Sequence, residues 1–556
     1  MPSQENLNKN SAVFLQSAYD ASKAARLYYP ACTITPATGA ACPSANQVAK
    51  DLVTGYTTFP ALAGTLVPYS VGGYSSQPNN FDGMVVADGS NPAVPMTLFT
   101  VPAWKPAFRI GMAWDVFGTG NTAVRFGFGQ YYNRGDGNIP MTYGGAPPIA
   151  YNRQVYYSGI STIPSYANSA AISPISNGGI TGNQPLETVM NASFGIQQNV
   201  GFGTVVEAAY VPSLHQHQDQ TNGNGNGAAG TQYINVVPMF SQYNPNYYSA
   251  WTGNLYDNAS GKALNDNYFR PMPGIGNVNR VDFRATSHYH ALQVSIRRAN
   301  RHGLSYGLAY TFSKTMLYSG FPYYPGNPFF KHWYYGATWN NSGAPQVLTA
   351  NYIYDIPGLG KKFNIRPMGW VTDRWSLSGI WSWQSHAMYG APGISMTGTS
   401  SSNPAPNWTG SAEGARVVVV GNPTVSNPTF YNNINAAAFQ LPVACSATRQ
   451  TMDCFGNAGA GSIFSVPVWM NNLDMSLIKN IPIKSEKRML TFRAEFYNLP
   501  NHTQFSGINN TLQFDLASYQ NWIAGKGSLV QSNSQFGRYT TARNPRQVAM
   551  TLRFQF

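Results

Sequence analysis

Two short motifs have the spacing of catalytic and nucleotide-binding loops. The segment Gly303-Leu-Ser-Tyr-Gly307 has the G-x-S-x-G pattern of a nucleophile elbow, in which a sharp turn between a strand and a helix exposes the serine. The segment Gly118-Thr-Gly-Asn-Thr-Ala123 has the G-x-G-x-x-A pattern of a dinucleotide-binding loop, which needs a following helix to bind pyrophosphate. The residues around both motifs alternate as they do in strands. We therefore interpret the first motif as part of a strand and the second as a hairpin turn.

Four histidines form two pairs with a spacing of two residues. His215 and His217 make one pair, and His288 and His290 make the other. In an extended segment this spacing places both imidazoles of a pair on one face, where they could bind a metal. A zinc site needs at least a third protein ligand, and none is clear near either pair. We interpret these histidines as polar loop residues and expect neither a metal nor a cofactor.

One acid and one base are spaced to meet on a strand. Arg493 and Glu495 lie two residues apart in an alternating segment, so both side chains point to the same side. No nucleophile accompanies them. Because shielded charges normally need partners, we predict an ion pair that faces the lumen of a barrel. The sequence thus predicts no catalytic residues, and the protein is expected not to be an enzyme.

The four cysteines form two local pairs. Cys32 lies ten residues before Cys42, and Cys445 lies nine residues before Cys454. Neither pair has the C-x-x-C spacing of zinc or thioredoxin-type sites. Both lie in stretches rich in Gly, Ala, Ser and Pro, which indicates two disulfide-closed loops in an oxidising compartment. Four unpaired thiols are the alternative, because spacing does not fix connectivity.

The composition excludes several classes of protein. Only 10% of the 556 residues are charged, whereas Gly (54), Tyr (35), Phe (29) and Trp (12) are abundant. No apolar run approaches the ~20 residues of a membrane-spanning helix, so only strands could cross a membrane. The net charge of +13 arises from few acids (21) against 34 bases, and no run of bases is longer than a pair. We therefore expect no nucleic-acid partner, because such partners require a basic stripe.

Alternation with a period of two residues is the dominant pattern. From Leu304 to Phe312, every even position is large and apolar and every odd position is small or polar. This pattern predicts strands with one apolar and one polar face. Marking each such run predicts eleven strands: 107–115, 121–131, 190–199, 204–211, 289–298, 303–312, 346–355, 374–383, 472–479, 488–497 and 547–556.

The apolar face of these strands is rich in aromatic residues. Facing lipid, such residues would form the interface girdles of a membrane barrel. The residues assigned to this lipid-facing girdle are Tyr306, Leu308, Tyr310, Phe312, Tyr352, Tyr354, Trp375, Trp381 and Trp383. The last predicted strand ends the chain, with Phe554 and Phe556 on its apolar face as a C-terminal barrel signal.

The predicted connections alternate in length. Short turns follow the first, third and fifth strands, and longer hairpins containing Gly358-Leu-Gly360 or Pro482 follow the seventh and ninth. The other connections are long: 132–189, 212–288, 313–345, 384–471 and 498–546. Short turns on one side and long loops on the other are typical of bacterial outer-membrane barrels. In that layout residues 1–106 form an external, loop-rich segment and residues 107–556 form part of a larger barrel.

Three groups of segments resemble one transporter family. They are 108–129, then 289–298 with 303–314, and then 492–502 followed by 542–547. In this order they resemble the barrel of Oar-like TonB-dependent transporters, which are abundant in Acidobacteria. The resemblance implies the C-terminal half of an antiparallel transmembrane β-barrel in the cell outer membrane of a Gram-negative-type bacterium. It also implies an upstream plug and TonB box, which this sequence does not contain, and no signal peptide is present at Met1.

The resemblance implies uptake of a bulky solute, and the expected partners follow from it. These partners are outer-membrane lipid, the barrel assembly machinery, the solute, and TonB through the missing N-terminal region. The solute could be a carbohydrate, a siderophore or a peptide, and the loops 222–258 and 318–341, rich in Tyr, Asn and Gly, could bind it. One alternative is a surface or adhesion protein that uses the barrel as an anchor. A soluble sandwich or propeller is disfavoured by the irregular loop spacing.

Overall fold

The structure is a computed structural model. It describes residues 11–37, 40–68, 71, 81–98, 104–133, 146–150, 160–161, 172–180, 185–218, 235, 237–238, 241, 248–249, 254–255, 265–281, 285–318, 334–336, 344–397, 416–443, 451, 454, 456–458, 464–483 and 485–556. Within these ranges, no helix combines the length and the hydropathy that crossing a membrane would require.

One large antiparallel sheet contains all eleven predicted strands, which are confirmed. The strands are β1 Arg109–Asp115, β2 Thr122–Asn133, β3 Glu187–Gly201, β4 Thr204–Gln218, β5 Ala285–Arg301, β6 Leu304–Tyr318, β7 Gln346–Asp355, β8 Trp375–Gln384, β9 Met470–Ile483, β10 Ser485–Tyr497 and β11 Gln547–Gln555. Each strand pairs with its neighbours in chain order, and the short strand Tyr334–Gly336 pairs in addition with β6.

The register aligns the apolar positions of successive strands. Residues directly opposite each other in a ladder lie on the same face, so a row of paired residues follows one face across the sheet. One such row crosses β1 to β6 through Met112, Phe126, Phe194, Tyr210, Leu292 and Phe312. A second crosses β7 to β11 through Tyr354, Leu377, Leu477, Ala494 and Met550. The sheet therefore has one continuous apolar face.

The opposite face is predominantly polar. A row on that side crosses β6 to β11 through Ser305, Ile353, Ser378, Ser476, Glu495 and Ala549. Strands of a water-soluble sandwich would turn their apolar residues toward a second sheet. In the described part of the chain no second sheet of comparable size covers this one, and Phe194, Phe312 and Met550 remain exposed.

The short connections join odd to even strands, as predicted. They are 116–121, 202–203, 302–303, 356–374 and the single residue 484, and the long ones are 134–186, 219–284, 319–345, 385–469 and 498–546. In the turns Phe202-Gly203 and His302-Gly303, both central residues have positive φ. That is the geometry of a type I′ hairpin, which matches the twist of the strands and favours glycine.

Two expectations about boundaries are wrong. The strands β4, β5 and β6 continue several residues beyond their predicted ends toward the long loops, so the histidine pairs lie in strands and not in loops. Alternation fades there because the two faces no longer differ clearly in polarity, although the backbone ladder continues. The predicted long hairpin after β9 is absent, because Pro482 lies in β9 opposite Met489. Lys479 is the last residue of β9 to pair with β8, so Pro482 interrupts no ladder on that side.

The remaining elements are short. Among the residues described, the α-helices are α1 Leu359–Phe363, α2 Arg366–Thr372 and α3 Leu516–Ile523. The described 3₁₀ helices are Gln16–Ala18, Ala21–Lys23, Ser44–Asn46, Pro60–Leu62, Asp266–Tyr268 and Ala436–Ala438. The described minor strands are Ala12–Phe14, Tyr29–Cys32, Gln47–Lys50, Thr57–Thr58, Met84–Val86, Ile175–Ile180, Tyr248–Ser249, Asn254–Leu255, Ile275–Val281, Ala387–Tyr389, Gly393–Thr397, Val418–Val419, Phe439–Gln440, Phe464–Val466, Phe505–Ile508, Thr511–Asp515 and Tyr539–Ala542.

The buried cores lie among the long loops and the N-terminal segment. One cluster joins Leu27 and Leu66 of that segment to Ile172 and Tyr268, from the second and fourth connections between strands. A larger cluster joins the connections 385–469 and 498–546, and Ile434 and Leu512 are among its fully buried residues. The second cluster forms a compact structure at the long-loop side, called the loop head below.

Candidate functional site

The nine residues predicted to face lipid lie on the apolar face of the sheet. Leu308 is opposite Ile296 and Ala350, and Ala350 is opposite Trp381. The indole Nε1 of Trp381 donates to Asn471 Oδ1 at 2.6 Å. Aromatic rings with one bonded polar tip suit a membrane interface, where one end is apolar and the other is wet. Contact with lipid stays a prediction for these residues.

A group of aromatic residues at the short turns was not predicted from the sequence. Phe117, Phe202, Phe363 and Trp370 lie in three of the five short connections and have exposed fractions of 59 to 78%. They belong to no alternating run, which is why a search for period-two patterns misses them. An aromatic residue within a turn that also contains glycine is the signal that could have identified them. We call these four residues the turn-side aromatics.

The predicted pair Arg493 and Glu495 lies on the polar face. Arg493 Nη1 and Glu495 Oε1 are 3.5 Å apart, and both side chains are partly exposed. A second pair on this face joins Arg297 Nη2 to Glu207 Oε2 at 3.9 Å, between β5 and β4. Partly exposed pairs at these distances contribute little to stability. Whether this face lines a lumen stays a prediction.

One cysteine pair lies wholly within the described residues, and the other lies only half within them. The Sγ atoms of Cys32 and Cys42 form a disulfide that closes a loop of the N-terminal segment. Cys454 is also disulfide-bonded, whereas Cys445 lies outside the described residues. Tyr29–Cys32 and Gln47–Lys50 pair as an antiparallel hairpin, with Cys32 opposite Gln47. The disulfide thus closes a loop whose ends a ladder also joins.

The histidine pairs do not come together. His288 and His290 occupy even positions of β5, on the apolar face, and the hydroxyl of Tyr210 is 2.5 Å from Nδ1 of His290. His215 lies on the opposite face, with its Nδ1 3.7 Å from Glu187 Oε1. Among the residues described, no group of three or more His, Cys, Asp or Glu side chains is placed to hold a metal ion.

The loop head contains a groove of about 540 Å³. Its walls come from the connections 385–469 and 498–546, which share the buried core beneath it. The lining residues are Thr424, Val425, Ser426, Asn432, Ile434, Asn435, Ala436, Ala437, Gln531, Asn533 and Phe536, none of which is charged. Hydroxyl and amide groups over an apolar base are the usual composition of a site for an uncharged polar ligand.

Hydrogen bonds to the backbone hold the amides of the groove in place. Asn435 Nδ2 donates to the carbonyl of Asn422 at 3.0 Å, and Asn435 Oδ1 accepts from the backbone N–H of Ala437 at 3.1 Å. Asn533 Nδ2 donates to the carbonyl of Thr511 at 2.7 Å. Side chains fixed in this way lose little entropy when a ligand binds.

An aromatic pair adjoins the groove. Phe430 and Tyr431 directly precede the lining residue Asn432 and contact each other edge to face, with ring centroids 4.9 Å apart. The guanidinium of Arg538 lies 5.1 Å and 5.0 Å from the two ring centroids. Tyr431 is 67% exposed. An exposed ring held by a cation offers an apolar surface for stacking, next in sequence to the lining residue Asn432.

The N-terminal segment contains one buried charge pair. The carboxylate of Asp51 is 1% exposed and accepts from Arg26 Nη2 at 2.8 Å. Burial raises the pKa of this carboxyl, but hydrogen bonds from Arg26 and from Thr54 and its neighbours outweigh burial and lower the pKa to about 2. Burial also raises the pKa of the Tyr268 phenol, whose hydroxyl donates to the carbonyl of Tyr28. These residues hold the segment in one conformation and have no catalytic arrangement.

The loops predicted to bind ligand, 222–258 and 318–341, lie largely outside the described residues. What the structure describes of them includes the hairpin Tyr248–Ser249 with Asn254–Leu255 and the strand Tyr334–Gly336. Their role stays a prediction. The groove of the loop head was not predicted from the sequence, because its lining residues come from two segments separated by about a hundred positions along the chain.

Comparison with known proteins gives one family and several distant structural likenesses. The outer membrane beta barrel domain family matches residues 46–549. The outer membrane transporter YddB from Escherichia coli is 11% identical, with a TM-score of 0.34 over 80% of this chain and 40% of its own. The ferric-catecholate import receptor Fiu from E. coli K12 is 10% identical, with a TM-score of 0.31 over 80% of this chain and 34% of its own.

The ferripyoverdine receptor of the outer membrane of Pseudomonas aeruginosa, in a structure bound to ferripyoverdine, is 10% identical. Its TM-score is 0.33, over 81% of this chain and 32% of its own. The chain therefore spans less than half the length of each of these three structures. No curated protein sequence matches the chain.

Proposed function

The chain belongs to the outer membrane beta barrel domain family, and from that premise we propose that it is the C-terminal half of a TonB-dependent transporter of the Oar-like type. In this proposal the eleven strands form part of the wall of a larger barrel, and an upstream plug and TonB box complete the transporter. The family places the chain in the outer membrane. The proposed activity is uptake of a bulky solute, without a catalytic step.

The observation that carries this proposal is the apolar face that crosses all eleven strands. A sheet exposes such a face only where the solvent is apolar, because each large apolar side chain left in water costs about 1.5–3 kcal/mol. The long loops all extend from one end of the sheet, as they do on the external side of bacterial barrels. A barrel wall that carries the loop head at its external end would present a binding surface for solute at the cell surface.

Two domains follow from this proposal. Residues 1–106 form the external segment, and residues 107–556 form the barrel half with its loops. The core that Leu27 and Leu66 share with Ile172 and Tyr268 supports the external position of the first segment, because it joins that segment to connections at the long-loop end. TonB and the barrel assembly machinery are the proposed protein partners, and both would act on the complete protein.

The groove of the loop head supports ligand capture over a purely anchoring role. An anchor needs no ordered polar cavity, whereas backbone hydrogen bonds fix the amides of Asn435 and Asn533 in the wall of this groove. Because no lining residue is charged, we propose a carbohydrate or an uncharged peptide as the solute and not an anionic siderophore.

The test is uptake by cells that produce the complete transporter. The variant Asn435→Ala/Asn533→Ala removes two amides from the groove, and Asn46→Ala, which removes an exposed amide of the N-terminal segment bonded to Thr33, is the matched control. We expect the double variant to lower accumulation of labelled oligosaccharide or peptide at least tenfold while surface abundance is unchanged. Equal uptake by both variants would remove the groove from the pathway, and uptake that persists without TonB would contradict the proposed energy source.

A further inference from the structure

The connection between β7 and β8 differs from the other short turns because it contains a pair of helices. Helices α1 and α2 cross at Gly360 and Gly369, where a Cβ added to Gly360 would lie 2.1 Å from Gly369 Cα. The backbone N–H of Gly360 donates to Asp373 Oδ1 at 2.9 Å and to Thr372 Oγ1 at 3.1 Å. The close approach and these bonds fix residues 359–372 as one unit, called the helical hairpin below.

The helical hairpin is tied to the apolar face of the sheet. The carbonyl of Val371 accepts from Trp375 Nε1 at 2.7 Å and from Lys479 Nζ at 3.2 Å. Trp375 and Lys479 are opposite each other at the turn end of β8 and β9, on the apolar face. The Lys479 ammonium also lies 5.2 Å from the Trp375 ring centroid. The hairpin therefore adjoins the apolar face of the sheet, which we propose meets lipid.

The hairpin exposes a dense group of apolar side chains beside basic ones. Within thirteen residues, six large apolar side chains are 36% exposed or more, namely Leu359, Phe363, Ile365, Met368, Trp370 and Val371. Lys361 and Lys362 are exposed on the same hairpin, and Lys362 Nζ is 5.7 Å from the Phe363 ring centroid. Aromatic and aliphatic side chains mixed with lysines are the composition of helices that lie in a membrane interface.

A cavity of about 330 Å³ separates the hairpin from the turn end of β9. Lys361, Arg374 and Lys479 line it, together with one carboxylate, Asp373. Trp370 contributes an apolar wall, as do Ile365, Ile481 and Pro482. Because the cations outnumber the carboxylate, which already accepts from the Gly360 N–H, the cavity favours an anionic group attached to an apolar body.

We propose that the helical hairpin binds an anionic phospholipid of the periplasmic leaflet. The phosphate would lie between Lys361 and Arg374, and an acyl chain would follow Trp370 and Ile481 onto the apolar face of the sheet. The occupant is a membrane lipid because the cavity is continuous with the face that meets lipid. This site depends on insertion in the outer membrane and on neither transport nor a plug.

The first experiment uses native mass spectrometry to measure the lipid that the complete protein retains after extraction from outer membranes. The extracted protein is mixed with palmitoyl-oleoyl phosphatidylglycerol or with the corresponding phosphatidylcholine, and inorganic phosphate is added as a competitor. We expect about tenfold more retained phosphatidylglycerol than phosphatidylcholine, because basic residues near the surface attract anionic headgroups. Lys361→Gln/Arg374→Gln should remove this preference. Lys526→Gln/Arg543→Gln, which neutralises two exposed cations on the long-loop side, should keep it.

A second experiment reports the position of the hairpin without altering the basic residues. Brominated phosphatidylglycerol quenches tryptophan fluorescence at close range, and Trp370→Phe should lose a measurable fraction of that quenching. Trp522→Phe, a substitution in α3 of the loop head, should lose none. Equal retention of the two lipids, unchanged preference in the Lys361→Gln/Arg374→Gln variant, or complete displacement by inorganic phosphate would each overturn the proposal.

Discussion

Neighbouring residues on one strand of this protein lie on faces of opposite polarity. Leu308 lies in a ladder row with Ile296 and Ala350 on the apolar face. The next residue, Ala309, lies in a row with Ser295 and Thr349 on the polar face. Because side chains alternate strictly along a strand, the same substitution at these two positions tests the direction of each face and little else.

The first prediction compares Leu308→Arg with Ala309→Arg in the complete protein. An arginine at the bilayer midplane costs roughly 2–4 kcal/mol in such barrels, whereas a substitution that faces the lumen is milder. We expect Leu308→Arg to reduce the folded, heat-modifiable fraction on a gel severalfold and Ala309→Arg to leave it near the unsubstituted level. Equal effects at the two positions would contradict the assignment of the apolar face to lipid.

The second prediction concerns the buried carboxylate of the N-terminal segment. The pKa of Asp51 is lowered to about 2, below its ordinary value, so its ionised form stabilises the folded segment. That stability is complete above the unfolded pKa of ~3.9 and is lost as the pH falls toward 2. We expect Asp51→Asn to remove roughly 2–3 kcal/mol at neutral pH, because a buried carboxylate whose pKa is lowered by about two units on folding contributes that much.

Pulse proteolysis of the segment at graded pH measures this effect. In the unsubstituted protein, the segment should become more susceptible to proteolysis as the pH falls from about 4 to about 2. In Asp51→Asn, the segment should already be more susceptible at neutral pH and should lack this pH-dependent step. Asp515→Asn, in the loop head, serves as the control. A step of the same size in Asp51→Asn would show that another group is responsible.

At the scale of elements, the sequence predicts strands well wherever one face is apolar and the other is polar. All eleven strands follow from alternation, and β8 is predicted to within one residue at each end. The helical hairpin and the loop head could not be predicted in this way. Gly360 and Gly369 are nine residues apart in a segment with no period, and Asn435 meets Gln531 and Asn533 only through tertiary packing.

The third prediction tests the packing of the helical hairpin. Gly360→Ala introduces a Cβ only 2.1 Å from Gly369 Cα, so one helix must move. Gly393→Ala is the matched control, because its Cβ would meet Thr511 Oγ1 at an ordinary 3.9 Å. We expect Gly360→Ala to expose the bonds after Lys361 and Lys362 to trypsin in reconstituted protein at least fivefold faster. No difference between the variants would mean that the crossing is not fixed.

The fourth prediction concerns the disulfides. Peptide mapping without reduction should find Cys32 linked to Cys42 and Cys445 linked to Cys454 in protein taken from cells. Closing loops of about ten residues should contribute roughly 2–3 kcal/mol to local stability on the chain-entropy model. Cys32→Ser/Cys42→Ser should therefore increase proteolysis of the N-terminal segment, whereas Thr35→Ala, at an exposed position within the same loop, should not. Alkylatable thiols at these four positions would contradict the assignment to an external, oxidising location.

At the scale of the whole molecule, the two edge strands of the large sheet each pair with one neighbour among the residues that the structure describes. These neighbours are β2 for β1 and β10 for β11, and within the described ranges no ladder joins β1 to β11. Every residue of both strands is exposed. In hydrocarbon each unpaired backbone group costs several kcal/mol, so a sheet with these edges requires a further structure to pair with them.

The last prediction is that the 556-residue chain, produced alone, neither forms a closed barrel nor conducts ions. Direct pairing of β1 with β11 is disfavoured, because strand number, tilt and register are linked in a barrel and side chains suited to a wide lumen do not fill a narrow one. Aggregation through the exposed edges is the expected outcome. The measurement is refolding in detergent followed by gel mobility, thermal melting and single-channel conductance, with the complete transporter refolded in parallel as the control. A stable, monomeric, conducting pore formed by this chain would show that eleven strands suffice and would contradict the proposal that they are half of a larger barrel.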